Sequence, residues 1–167
     1  CLNWRTYWRK RTMNYRLLAN MIGKVLIALA VLMVVPIIVA AVYGEKLWDY
    51  LAFVIPVAVL LPCGIGISFI KPKDKTKMRP REGMVMVAVS WLLFTLLGAL
   101  PYYISGALKN FFDCIFETAS GFTTTGVSVI LKPENLSRSI NFWRCFTHWI
   151  GGMGILVFIQ AVLPKGN

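Results

Sequence analysis

The sequence predicts an all-α integral membrane protein, with four transmembrane helices and one re-entrant half-helix that runs into a loop. Three observations carry this. Four apolar runs each approach the roughly 20 residues that a spanning helix requires. Of the 167 residues, 57% are hydrophobic, more than a soluble domain of this length uses. The basic residues gather in two short segments beside the apolar runs instead of spreading over a surface.

The net charge of +11 at pH 7 would also suit a nucleic-acid binder. Its distribution points to a membrane. Arg5, Arg9, Lys10, Arg11 and Arg16 precede the first run, and Lys71, Lys73, Lys75, Lys77, Arg79 and Arg81 separate the second from the third. Two short basic segments beside apolar spans are the positive-inside pattern. No nucleic-acid partner is expected; the bilayer itself is. Of the four cysteines, Cys1, Cys63, Cys114 and Cys145, no two form a CxxC pair, and they read as small buried hydrophobes.

Residues 1–16 form a basic arm, expected on the cytoplasmic surface, with Trp4, Tyr7, Trp8 and Tyr15 at the interface. Residues 17–70 supply an N-terminal pair of transmembrane helices. The first, 17–43, contains Pro36, which predicts a kink, and Lys24, which can snorkel outward. The second, 50–70, carries Pro56, Pro62, Gly64 and Gly66 and is expected to be bent. Residues 71–82 form the second basic cytoplasmic loop. Residues 83–164 read as helix, pore loop and helix. The third span runs over 83–104 and the fourth over 141–163. Residues 165–167 read as the start of a continuation that this chain lacks.

Between the last two spans lies NFFDCIFETASGFTTTGV, residues 110–127. Its first half is apolar enough to enter a bilayer and too short to cross one. Asn110 is placed to cap it, with Asp113 three residues on in a box-like start. Gly121 falls where a left-handed helix terminus would want glycine. The half-helix then meets Thr123, Thr124, Thr125, Gly126 and Val127, an uncharged stretch. Irregular backbone is tolerated at membrane depth only where it is buried in protein or lines a water-filled path. Backbone carbonyls can there replace the hydration shell of a cation. Gly126 permits conformations that other residues resist. The C-terminal end of the half-helix carries the negative end of its dipole, which favours a cation over an anion.

Asp113 and Glu117 are four apart and share a helix face. They can draw cations to an outer mouth. Alternatively Glu117 pairs with Arg144, one turn into the fourth span. An unpaired arginine costs about 2.5–3.5 kcal/mol at a helix centre, which favours the pair. Further along, Gly151, Gly152 and Gly154 permit a close backbone approach, either to the loop or to an ordinary helix neighbour. His148 reads as a hydrogen-bonded structural residue.

At these residues the chain resembles a known family. FETASGFTTTGVSV followed by FWRCFTHWIGGMGILVFIQAVLP is similar to the first pore repeat of the TrkH/KtrB family of potassium-uptake proteins. The likeness covers 84–164, and the two preceding helices resemble the extra N-terminal pair of the TrkH branch. The resemblance implies one repeat of a pseudo-fourfold cation pore in a bacterial plasma or inner membrane, with the N-terminus cytoplasmic. It implies that Thr123 to Val127 form one filter strand, with potassium at Thr124, Thr125 and Gly126. Glu117, Gly121, Arg144, Gly151, Gly152 and Gly154 would support the strand. It further implies three other repeats on the same full-length chain, a homodimer of that chain, and a cytoplasmic nucleotide-binding regulatory subunit of TrkA/KtrA type. Potassium is then the transported ion, and no cofactor is expected in this chain.

One loop supplies a quarter of a ring. The chain starts with Cys1 and stops soon after the fourth span, so an N-terminal piece of a longer protein is expected. A homotetrameric cation channel or a non-conducting membrane fragment is the alternative. Gly121 to Gly126 fits GxxxxG, but Val127 follows where a phosphate-binding loop needs lysine, so no enzyme is expected.

Overall fold

The computed structural model describes residues 15–70 and 80–162. Most of the predicted basic arm, most of the second basic loop and residues 163–167 lie outside them. Among the described residues every regular element is helical. They are α1 (Tyr15–Tyr43), α2 (Leu47–Ser68), α3 (Pro80–Gly98), α4 (Leu100–Ile104), α5 (Phe111–Phe122) and α6 (Arg138–Val162), with one 3-10 turn at Pro133–Asn135.

Three stretches of the described residues are long and apolar enough to cross a membrane: Arg16–Tyr43, Leu47–Ser68 and Gly83–Ile104. The 25 residues of α6 span about 37 Å at 1.5 Å each, against a hydrocarbon thickness of about 30 Å. The protein is an all-α integral membrane protein.

The helices α1 and α2 form an antiparallel hairpin. It closes at Gly44–Lys46, tighter than the six-residue turn expected, because α2 takes in Leu47 to Asp49. At the other end the two backbones nearly touch. A Cβ on Gly23 would lie 2.8 Å from the Gly64 carbonyl oxygen, and one on Gly64 would lie 3.0 Å from that of Gly23. Small residues at this crossing allow the dense packing that holds helices together in lipid. Asn20 donates to the carbonyl of Ser68 there. That bond occupies a carbonyl left over at the end of α2. The helix α1 continues unbroken past Pro36, which is fully buried against its neighbour.

The third predicted span is divided. The chain leaves α3 at Gly98 and resumes as α4 at Leu100, with Pro101 in its first turn. Proline has no N–H to continue the helical ladder, so the interruption has a local cause. Buried Trp143 fills the gap, its indole Nε1–H donating to the Gly98 carbonyl at 3.1 Å.

The hairpin packs on α4 and α6, and α5 lies between α3 and α6. Aromatic rings join these layers. The Phe53 ring meets Trp143 edge-on at 6.0 Å. Phe122, the last residue of α5, stacks on Phe94 at 5.4 Å and meets Trp143 edge-on at 6.4 Å. Such pairs add about 0.5–1.5 kcal/mol beyond the area they bury. The end of the half-helix is therefore anchored at the centre of the core. Of the cysteines described, Cys114 is buried as expected, whereas Cys63 and Cys145 are exposed, because their helix faces turn away from this core.

Candidate functional site

The site begins with a short helix. The 12 residues of α5 reach about 18 Å, too little to cross a bilayer. Asn110 caps it, its side chain accepting from the Phe112 N–H at 3.1 Å. Among the described residues Asp113 gives no return bond, so only half of the expected box forms. The helix ends at Phe122, two residues beyond the end expected at Ser120. Gly121 lies inside it, and Thr123 closes it in right-handed geometry. The expected left-handed terminus at Gly121 is therefore corrected. Gly121 is required for packing: a Cβ there would collide with the Thr147 side chain on α6.

Left-handed backbone appears further on. Thr124 has φ 57° and Gly126 has φ 78°. A β-branched residue at positive φ is a genuine outlier, and such strain costs about 1–3 kcal/mol. Hydroxyl bonds compensate in part. Thr123 Oγ1 donates to the Ala119 carbonyl at 2.7 Å and lies 2.8 Å from Thr125 Oγ1. Thr124 Oγ1 donates to the Thr123 carbonyl at 2.7 Å. The N–H of Thr125 returns to the Ser120 carbonyl at 3.0 Å. Thus the loop's amide and hydroxyl donors brace it against the end of α5.

Its acceptors are left over. No hydrogen bond among the described residues uses the carbonyl oxygens of Thr124, Thr125, Gly126 or Val127. Residues Thr123 to Val127 are all exposed and carry no charge. Unpaired backbone oxygens are costly within a bilayer unless water or an ion meets them.

The strand that follows is tied down by Glu117, which is only 2% exposed. Arg144 Nε donates to Glu117 Oε1 at 2.8 Å. Ser128 Oγ lies 3.0 Å from both carboxylate oxygens, and the Val129 N–H donates to Oε2 at 3.1 Å. Ser128 Oγ in turn accepts from Ile130 N–H at 3.0 Å. Ser128 and Val129 were not legible as partners. Eleven or twelve residues from Glu117, across an irregular loop, they bear no periodic relation to it.

The second wall is α6. A Cβ on Gly151 would collide with the carbonyl of Phe122, so this glycine lets α6 reach the end of α5 directly. At Gly152 the nearest atom is the Thr124 methyl, at 4.0 Å. Gly154 differs from its neighbours: it faces Trp91 of α3, at 3.6 Å, and does not face the loop. His148 Nδ1 pairs with the Arg144 carbonyl at 2.8 Å within the helix. An uncharged loop at a helix end, with carbonyls unpaired among the described residues and held from behind by the Glu117–Arg144 ion pair and two close-packed glycines, can offer oxygen ligands to a cation.

Known proteins resemble this chain in sequence and fold. Over 153 residues the chain is 31% identical to the Trk system potassium uptake protein TrkH of Halomonas elongata, covering 91% of this chain and 31% of that protein. It is 32% identical to the Trk system potassium uptake protein TrkG of Escherichia coli, covering 92% and 31%. The crystal structure of the potassium transporter TrkH from Vibrio parahaemolyticus superposes with a TM-score of 0.81 at 34% identity, over 92% of this chain and 33% of that one. The chain thus spans about a third of the length of these relatives, which are transport proteins and not enzymes. Residues 51–166 match the family model described as TrkH, cation transport protein, and the chain belongs to that family.

Proposed function

We propose that this chain supplies one filter strand, and the helices that hold it, to a four-repeat pore that carries potassium across a bacterial plasma membrane. The observation that carries the reading is the run of four carbonyl oxygens, Thr124 to Val127, with no hydrogen-bond partner among the described residues, on an exposed uncharged loop. Potassium meets Thr124, Thr125 and Gly126. The negative end of the α5 dipole adds attraction for a cation at the same place. The names of the relatives support potassium as the ion.

One strand cannot surround an ion. The other three belong to the rest of a longer chain, in keeping with the third of the relatives' length that this chain spans. The basic segments support a cytoplasmic N-terminus. Resemblance to the family adds a homodimer and a cytoplasmic nucleotide-binding regulatory subunit. A homotetramer of this chain is the second reading, favoured by nothing in the geometry.

Gly126→Ser in the full-length protein is the test. At φ 78° a side chain is strained although the space around it is open. Potassium-over-sodium selection in proteoliposome flux assays is expected to fall. Unchanged selection would remove Gly126 from the filter.

A further inference from the structure

Ser137 immediately precedes α6, where a serine hydroxyl usually caps the first turn. Here its hydroxyl is buried and makes no hydrogen bond among the described residues. The first turn is satisfied from a distant part of the chain. Glu45, in the turn between α1 and α2, accepts from the Ser139 N–H at 3.0 Å and also from the Ser139 hydroxyl, across 94 residues. Beside it the Arg138 guanidinium sits 4.8 Å from the centre of the Tyr43 ring, at the end of α1. An acidic group at a helix N-terminus and a cation over an aromatic face are each favourable alone. Together they fasten the hairpin turn to the start of α6 at two adjacent residues.

From that point α6 leads to the loop. Ser139, Ile140, Trp143 and Thr147 are all fully buried, so this part of the helix has little room to shift. Arg144 lies between them and holds Glu117, which holds Ser128 and Val129 just beyond the filter stretch. We propose that Glu45 is a positioning residue for the ion site: the N-terminal hairpin sets the depth and rotation of α6, and through Arg144 and Glu117 it sets the filter strand. This rests on the pore reading above. It gives the hairpin, which contributes no residue to the loop, a part in ion selection.

The test separates capping from positioning. Full-length protein is reconstituted in proteoliposomes, and half-saturation for rubidium uptake and rubidium-over-sodium selection are measured beside the thermal midpoint in detergent. Glu45→Ala is expected to raise half-saturation by about 2- to 30-fold, the range that coupling through a packed network produces, and to lower the midpoint. Adding Ser137→Asp gives α6 a local cap. It is expected to restore the midpoint and leave half-saturation raised. Recovery of both would make Glu45 a cap and nothing more, overturning the proposal, as would unchanged uptake in Glu45→Ala. Should Glu45→Ala fail to fold, Glu45→Gln keeps one acceptor and takes its place, and unchanged half-saturation there is equally fatal. Wild-type protein with no saturable rubidium uptake would overturn the pore reading, and this inference with it.

Discussion

Arg144 and the buried Glu117 form an ion pair at 2.8 Å, and the carboxylate of that pair also accepts from Ser128 Oγ and the Val129 N–H. Glu117 therefore has two tasks. It neutralises the Arg144 guanidinium, and it holds the segment that follows the Thr-Thr-Thr-Gly-Val stretch. Only the first can be taken over by another arrangement of charges.

That distinction predicts the outcome of a swap. Arg144→Gln alone is expected to destabilise the full-length protein by about 3–5 kcal/mol, because the buried Glu117 carboxylate loses its partner, and Glu117→Gln is expected to cost less, because the Arg144 side chain is 22% exposed. The double exchange, Glu117→Arg with Arg144→Glu, restores the charge balance. An arginine at 117 cannot accept from Ser128 or Val129. Folding, followed by size-exclusion elution, is expected to recover in part, while rubidium uptake stays low. Full recovery of uptake would show that the tether to the strand is dispensable.

The three glycines of α6 should not respond alike. Gly151→Ala drives a methyl into the Phe122 carbonyl, and backbone cannot yield cheaply. Overpacking of this kind costs about 1–3 kcal/mol or more. Gly152→Ala and Gly154→Ala meet only ordinary contacts, at 4.0 Å and 3.6 Å. Thermal midpoints of the three variants should rank Gly151→Ala far below the other two. Equal midpoints would argue against the close approach of α6 to α5.

Thr124 offers a stability–selectivity contrast. Its φ of 57° is one that glycine accepts freely. Relief of the strain in Thr124→Gly is worth about 1–2 kcal/mol, offset by about 0.5–1 kcal/mol of added chain entropy. The midpoint should hold or rise slightly. The hydroxyl bond to the Thr123 carbonyl is lost, so potassium-over-sodium selection should fall. A variant that loses stability and keeps selection would contradict both halves.

Trp143 joins three helices through one ring. In Trp143→Phe the Gly98 carbonyl loses its donor at the break between α3 and α4. An unsatisfied buried acceptor costs about 1–3 kcal/mol, and some packing is lost besides. A lowered thermal midpoint in detergent is expected; an unchanged midpoint would argue against this bond as a support of the break.

Much of the fold was legible because lipid imposes simple rules on sequence. Long apolar runs, basic flanks and one run too short to cross give the spans and the half-helix directly. Gly126 was legible as a special backbone position, and Glu117 and Arg144 as partners, because an isolated charge in a membrane is so unfavourable. Boundaries were less legible. The third span divides at Ala99, a feature that apolar periodicity cannot register because both sides are equally hydrophobic.

The reasons for individual residues shifted more than the elements did. Gly121 looked like a helix terminus and is a contact point for Thr147. The left-handed residue that sequence would not suggest is Thr124, since threonine resists that conformation.

By itself, the sequence determined the helical membrane class, the half-helix and the uncharged Thr-Thr-Thr-Gly-Val stretch. Each of these depends on composition within a few neighbouring residues, and the bilayer turns such composition into structure with little choice. Only the tertiary structure decided that Ser128 and Val129 hang from Glu117, that Gly154 faces Trp91 and not the loop, and that Glu45 reaches across the chain to Ser139. These contacts join residues far apart in the chain through single side chains. Their partners are fixed by how whole helices pack, and helix packing follows shape, which no local pattern of residues encodes.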